Sequence, residues 1–148
     1  MRKKTVCLLS LLLVLCFAAA SAQTVYCPSG GFSLNLPDRF GEIAPQQPND
    51  PDLVLHYSDG AVDLTTYVSF SGSSDSFQVL TGDETEYGPV TINGMEMFRV
   101  RGLDANGPWI SYSWIWAGRS VCVSFVWSGD EETALSVIRD IMNSIVFG

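Results

Sequence analysis

Lysine is missing from residues 23–148, and the whole chain carries a single histidine, His56. Over that stretch the basic residues are Arg39, Arg99, Arg101, Arg119 and Arg139. Sixteen acids oppose these five arginines, a formal net charge of −11 against −8 for the full chain. Nucleic acid and anionic membrane surfaces are held by clustered Lys and Arg, so both are poor partners for such a surface. One histidine excludes zinc sites of the H-x-x-x-H type, and a catalytic triad would have to use His56. No serine lies in a nucleophile elbow of the form G-x-S-x-G, and no glycine motif is built to cradle phosphate. Asp104-Ala105-Asn106-Gly107 begins like a calcium loop, but its glycine comes too early and the closing Glu is absent. It reads as an ordinary turn. The sequence therefore gives no reason to expect a metal, a cofactor or an enzyme.

Long apolar runs are confined to the start of the chain. Arg2, Lys3 and Lys4 precede an apolar stretch over residues 6–17 that only Ser10 interrupts, and Ala20-Ser21-Ala22 has the small-x-small cleavage pattern. Residues 1–22 read as a signal peptide, cut before Gln23. A membrane anchor would want an apolar run of ~20 residues. A lipoprotein signal at Cys16 would want a small residue where Leu15 stands. The expected product is a secreted or extracytoplasmic single domain, residues 23–148, with no membrane insertion after cleavage. Cys7 and Cys16 leave with the peptide. Cys27 and Cys122 remain, and export permits them to form a disulfide; two buried free thiols are the other reading.

What the chain has in plenty is aromatic residues, concentrated in residues 109–127 (WISYSWIWAGRSVCVSFVW). This stretch reads as a central β-hairpin. With Gly118-Arg119 as a two-residue type II′ loop, Trp116 faces Val121, Trp114 faces Val123, Tyr112 faces Phe125 and Ile110 faces Trp127. All are apolar or aromatic and share one face. Ile115 with Cys122, Ser113 with Ser124, and Ser111 with Val126 take the other, so the pattern selects the register.

Shorter signals surround this hairpin. Residues 26–31 are a lead-in, and Phe32, Leu34 and Leu36 alternate with polar residues as a first strand. Residues 41–52 form a Pro-rich loop. Residues 53–57 and 61–70 form a hairpin about Asp59-Gly60, with Tyr57 opposite Val62 and His56 opposite Asp63. Residues 71–76 break the pattern, and residues 82–89 read as an acidic loop. Asn93-Gly94 turns a further hairpin of residues 90–92 and 95–101. Ser128 and Glu131 have the spacing of a capping box. Ala134, Leu135, Ile138, Ile141, Met142 and Ile145 follow as the apolar stripe of a helix, with Arg139 directed away from it. The expected fold is α+β, a central antiparallel sheet of hairpins with a C-terminal helix on its aromatic face.

Three short landmarks add a resemblance: Gly31-Phe32-Ser33-Leu34-Asn35-Leu36-Pro37, Thr91-Ile92-Asn93-Gly94-Met95, and Ser144-Ile145-Val146-Phe147. Together they are similar to small exported bacterial proteins of the PsbP-like fold. The resemblance implies a central antiparallel sheet with helices packed on it. Its extrinsic photosystem and nuclear Ran-binding members do not suit a chain without a lysine-rich docking surface.

Three functional readings follow. The first is a noncatalytic exported interaction or structural domain that meets an extracellular protein or small ligand. The second is a small-ligand or carbohydrate-binding module whose hairpin aromatics form the platform. Trp109, Trp116 and Arg119 are then the site, since Trp and Arg dominate binding hot spots. The third is a hydrolase using His56 with Asp63 as its orienter.

Overall fold

Alternation of apolar and polar residues dominates the chain, and the structure turns it into two sheets. The computed structural model describes residues 21–44, 50–69 and 84–148. The expected signal peptide therefore lies outside the described residues except for Ser21 and Ala22, as does the pattern break at residues 71–76. β1 (Ala22–Cys27), β2 (Phe32–Pro37) and β10 (Val146–Phe147) form a small antiparallel sheet in the order β1-β2-β10. The large sheet has the order β3-β4-β5-β9-β8-β7-β6 and is antiparallel throughout. Its strands are β3 (Gly41–Glu42), β4 (Leu53–Ser58), β5 (Val62–Ser69), β6 (Glu84–Ile92), β7 (Met95–Asp104), β8 (Gly107–Trp116) and β9 (Arg119–Trp127). Among the described residues one α-helix, α1 (Glu131–Asn143), follows β9. The α+β expectation holds. Among the described residues no helix is long and apolar enough to cross a membrane.

The core lies between the large sheet and a second layer made of the small sheet and α1. Val62, Leu64 and Val68 from β5, Val121, Val123, Phe125 and Trp127 from β9, and Ile110, Tyr112 and Trp114 from β8 supply one wall. Leu34 and Leu36 of β2 and Ala134, Ile138, Ile141 and Met142 of α1 supply the other. The stripe expected of the helix is thus the face it buries, and the aromatic face of β8 and β9 is the one it meets. Each large side chain so buried contributes ~1.5–3 kcal/mol.

The turns depart from expectation in detail. The β8–β9 loop is Ala117-Gly118, with Trp116 opposite Arg119, Trp114 opposite Val121, Tyr112 opposite Val123 and Ile110 opposite Phe125. Ala117 and Gly118 have φ of 48° and 74°, the pair of positive values of a type I′ turn rather than II′. The pairs move by two residues, and an even shift leaves every side chain on its expected face. In the β4–β5 hairpin, Asp59 inserts a longer loop. Its carboxylate accepts from the Ala61 and Val62 amides at 2.9 and 2.8 Å. Tyr57 therefore pairs with Leu64 and His56 with Thr65, while Asp63 lies opposite Ser58.

Three further differences concern element ends. The lead-in begins as the end of strand β1, which pairs with β2 from Ala22 to Cys27, and continues as a 3-10 turn over Pro28–Gly30. Residues 84–89 of the supposed acidic loop belong to β6, which pairs with β7 around Asn93-Gly94 as expected. The helix is capped by Asp130 rather than Ser128. Its carboxylate accepts from the Thr133 amide at 2.8 Å and from the Thr133 hydroxyl at 2.6 Å.

Gly31 and Gly118 both sit at positive φ, but only one is crowded. A Cβ on Gly31 would lie 1.9 Å from the Trp116 indole, whereas one on Gly118 would meet nothing within 4 Å. Gly118→Ala should cost only the left-handed strain, about 1–2 kcal/mol. Gly31→Ala should cost at least about 2 kcal/mol more in denaturant unfolding, because the indole must leave its seat. Equal losses would mean that Trp116 does not pack over Gly31.

Candidate functional site

Strand alternation places Arg99 and Arg101 on the core-facing side of β7, in the rows of Tyr112 and Ile110. Those rows run out beyond the area that α1 covers fully. The result is a cavity of about 330 Å³ between the helix and β6, β7 and β8. Val90, Ile92, Ile110, Leu135, Ile138 and Met142 give it an apolar lining, and Glu86, Arg99, Arg101, Tyr112, Arg139 and Asn143 give it polar groups. That volume lies in the range of small-ligand sites, which are characteristically apolar with a few placed polar groups. Opposite Arg99 the neighbouring strand carries Gly88, where a Cβ would meet nothing within 4 Å.

The arginines are held, each by a different element. Arg99 is ion-paired with Glu86 of β6, and Arg101 with Glu131 of α1 at 2.6 Å. The Arg101 guanidinium also lies 5.9 Å from the Trp127 ring centroid, a cation–π distance. The Tyr112 phenol is pushed above its ordinary pKa by burial, while the positive charges of Arg99 and Arg139 oppose the shift. The hydroxyl is thus neutral at physiological pH and can donate a hydrogen bond. Beside the cavity-lining Ile92 and Asn143, the Asn93 side-chain amide donates to the carbonyls of Asn143 and Ile145 at 3.0 and 2.8 Å.

A second cavity of about 300 Å³ is lined in part by Ser21 and Ala22. The expected cleavage before Gln23 would remove both, so the cavity under β6–β8 is the better candidate.

The residues singled out in the sequence do not form one surface. Trp116 and Arg119 are cross-strand neighbours at the hairpin tip. Trp116 packs on the core over Gly31, and Arg119 donates to the Ser29 carbonyl at 3.2 Å. Trp109 is seven residues away from Trp116 on β8, roughly 23 Å along the strand, and on the opposite face. Its indole N–H is buried, with no hydrogen-bond partner among the described residues. His56 and Asp63 are not cross-strand partners, for the register reason given above. The cavity itself escapes a linear reading. Arg99 and Arg101 are two residues apart on a strand, which puts them on one side of it, but Arg139 joins them only through packing. It lines the cavity instead of turning away from it.

An antiparallel sandwich in this strand order, with one helix laid on its inner face, is a PsbP-like α+β fold. The solution structure of cyanobacterial PsbP from Synechocystis sp. PCC 6803 matches it with a TM-score of 0.65 and 11% identity, over 87% of this chain and 94% of that one. A crystal structure from Bacteroides thetaiotaomicron VPI-5482 matches with a TM-score of 0.53 and 12% identity, over 85% of this chain and 48% of that one. No protein-family model matches the sequence, and no curated protein does.

The two cysteines are free thiols on opposite sides of the large sheet. Cys27 is in the core beneath β2, whereas Cys122 alternates with Val121 and Val123 and so turns to the outer face, between Tyr67 and Ser113. The expected disulfide is absent because a sheet separates the partners. Burial pushes the Cys27 thiol up, with Ser29 and Gly30 opposing, and pushes Cys122 from 9.0 up to about 12. Between pH 9 and 10 the folded chain keeps a proton on Cys122 that the unfolded chain loses. Its contribution is complete below pH 9 and falls as pH rises. Folding stability should drop by on the order of 1 kcal/mol across that unit, and Cys122→Ala should flatten the slope. An unchanged slope in the variant would remove this account of Cys122.

Proposed function

We propose that the chain is a noncatalytic exported domain that binds a small, largely apolar ligand in the cavity between α1 and β6–β8. The carrying observation is the cavity itself: a space of ligand size lined by aliphatic and polar side chains together, with Arg99 and Arg101 of its three arginines held in place by ion pairs. Export is supported by the charged start, the short apolar run and the Ala20-Ser21-Ala22 pattern. The noncatalytic reading is supported by the β4–β5 register, which denies His56 the cross-strand carboxylate that would orient a base. The placement of Trp109 and Trp116 on opposite faces favours the cavity over an aromatic platform.

Leu135 is only partly buried and stands at the cavity wall, so it accepts a larger side chain without disturbing the core. The neutral dye Nile red should bind the native chain at one saturable site. Leu135→Trp should keep the melting temperature within a few degrees and lose at least tenfold in dye affinity. Undiminished binding by a folded Leu135→Trp variant would place the ligand elsewhere.

A further inference from the structure

Three of the five arginines of residues 23–148 line this one cavity, in a stretch whose net charge is −11. Two of the three are already neutralised, Arg99 by Glu86 and Arg101 by Glu131. Arg139 is not. Its helical neighbours three and four residues away are Leu135, Ser136, Met142 and Asn143, none of them acidic, and among the described residues it makes no ion pair. It is exposed, whereas Ile138 and Met142 beside it are buried to 1%. The cavity therefore has a head and a tail: one uncompensated guanidinium with the Tyr112 hydroxyl nearby, and an aliphatic wall of Ile110, Leu135, Ile138 and Met142 beside it.

Resting on the cavity reading above, we propose that its ligand is a monocarboxylate with an aliphatic tail. The carboxylate meets Arg139 and Tyr112, and the tail lies along Ile110, Leu135, Ile138 and Met142. An arginine offers a carboxylate a charge-assisted, bidentate contact. A dianion such as a phosphate monoester fits worse, because only one positive charge is uncompensated and the carboxylates of Glu86 and Glu131 stand in or beside the same wall. A sugar fits worse because the wall of Ile110, Leu135, Ile138 and Met142 offers no hydrogen-bond partner along one side.

Titration calorimetry with octanoate, decanoate and the neutral isostere decanamide tests this on the cleaved chain. Decanoate should bind more tightly than octanoate by about fourfold per added methylene, the transfer free energy of one CH₂. It should bind at least tenfold more tightly than decanamide, and Arg139→Gln should remove that preference while leaving decanamide binding unchanged. Equal affinity of the native chain for decanoate and decanamide, with the tail dependence intact, would overturn the carboxylate inference and leave the cavity reading standing. No binding of any of the three, with Nile red binding also absent, would end both. Should Arg139→Gln fail to fold, the comparison of decanoate with decanamide on the native chain decides alone.

Discussion

The indole of Trp114 is where the two layers of this fold become one. It rises from β8 in the large sheet, is 4% exposed, and meets Phe32 of β2 edge-on at 5.3 Å and Phe147 of β10 at 5.8 Å. Such contacts add ~0.5–1.5 kcal/mol each to the area they bury. Among the described residues the indole N–H groups of Trp114 and Trp127 have no hydrogen-bond partner. An unsatisfied buried donor costs ~1–3 kcal/mol. Remove the cross-layer contact and β10, only two residues long, has little else to hold it on β2.

The helix is secured from the same corner. Ser144 ends α1, donates through its hydroxyl to the Ile141 carbonyl at 2.6 Å, and accepts from the Asn35 amide of β2 at 2.8 Å. Asn93, in the β6–β7 turn, caps two carbonyls at that end. The three short landmarks that suggested a PsbP-like chain are therefore one structural unit. β2, the Asn-Gly turn and the closing Ser-Ile-Val-Phe meet around the C-terminus of α1. Each is short because each supplies only one side of the joint. The joint also borders the cavity, since Ile92 and Asn143 beside it belong to the lining.

Legibility in the sequence followed physical range. Which face a strand residue takes depends on alternation alone, and it was readable for β8 and β9 even though the pairs were displaced by two. Exact pairing depends on the turn, and turns differ in how openly they announce themselves. Asn93-Gly94 was readable because both residues tolerate positive φ. Ala117 was not, since alanine in that region is uncommon and is accepted here because a type I′ turn matches the strand twist. Asp59 lengthened its hairpin through side-chain bonds to the backbone, a competition that residue identity alone does not settle. The cap moved from Ser128 to Asp130 because Gly129, at φ of 82°, puts a bend between β9 and the helix. The cavity lay beyond such cues, since it depends on how α1 crosses three strands.

The charged wall of the cavity is also weak evidence for stability, and that is informative. The pairs Arg99–Glu86 and Arg101–Glu131 involve side chains that are 35% and 54%, and 27% and 57%, exposed. Solvent-exposed pairs of this kind contribute ~0–1 kcal/mol. What they do is hold two long side chains upright at the margin of an aliphatic space. The fold does not require this, for the layer contacts of Trp114, Phe32 and Phe147 and the joint at Ser144 already account for how α1 is seated. At 11% identity the match to cyanobacterial PsbP carries the arrangement of the chain and none of its lining residues. A strongly acidic domain that gathers three of its five arginines over one cavity has arranged them against its own net field, and an anionic group in that cavity is the partner such an arrangement favours.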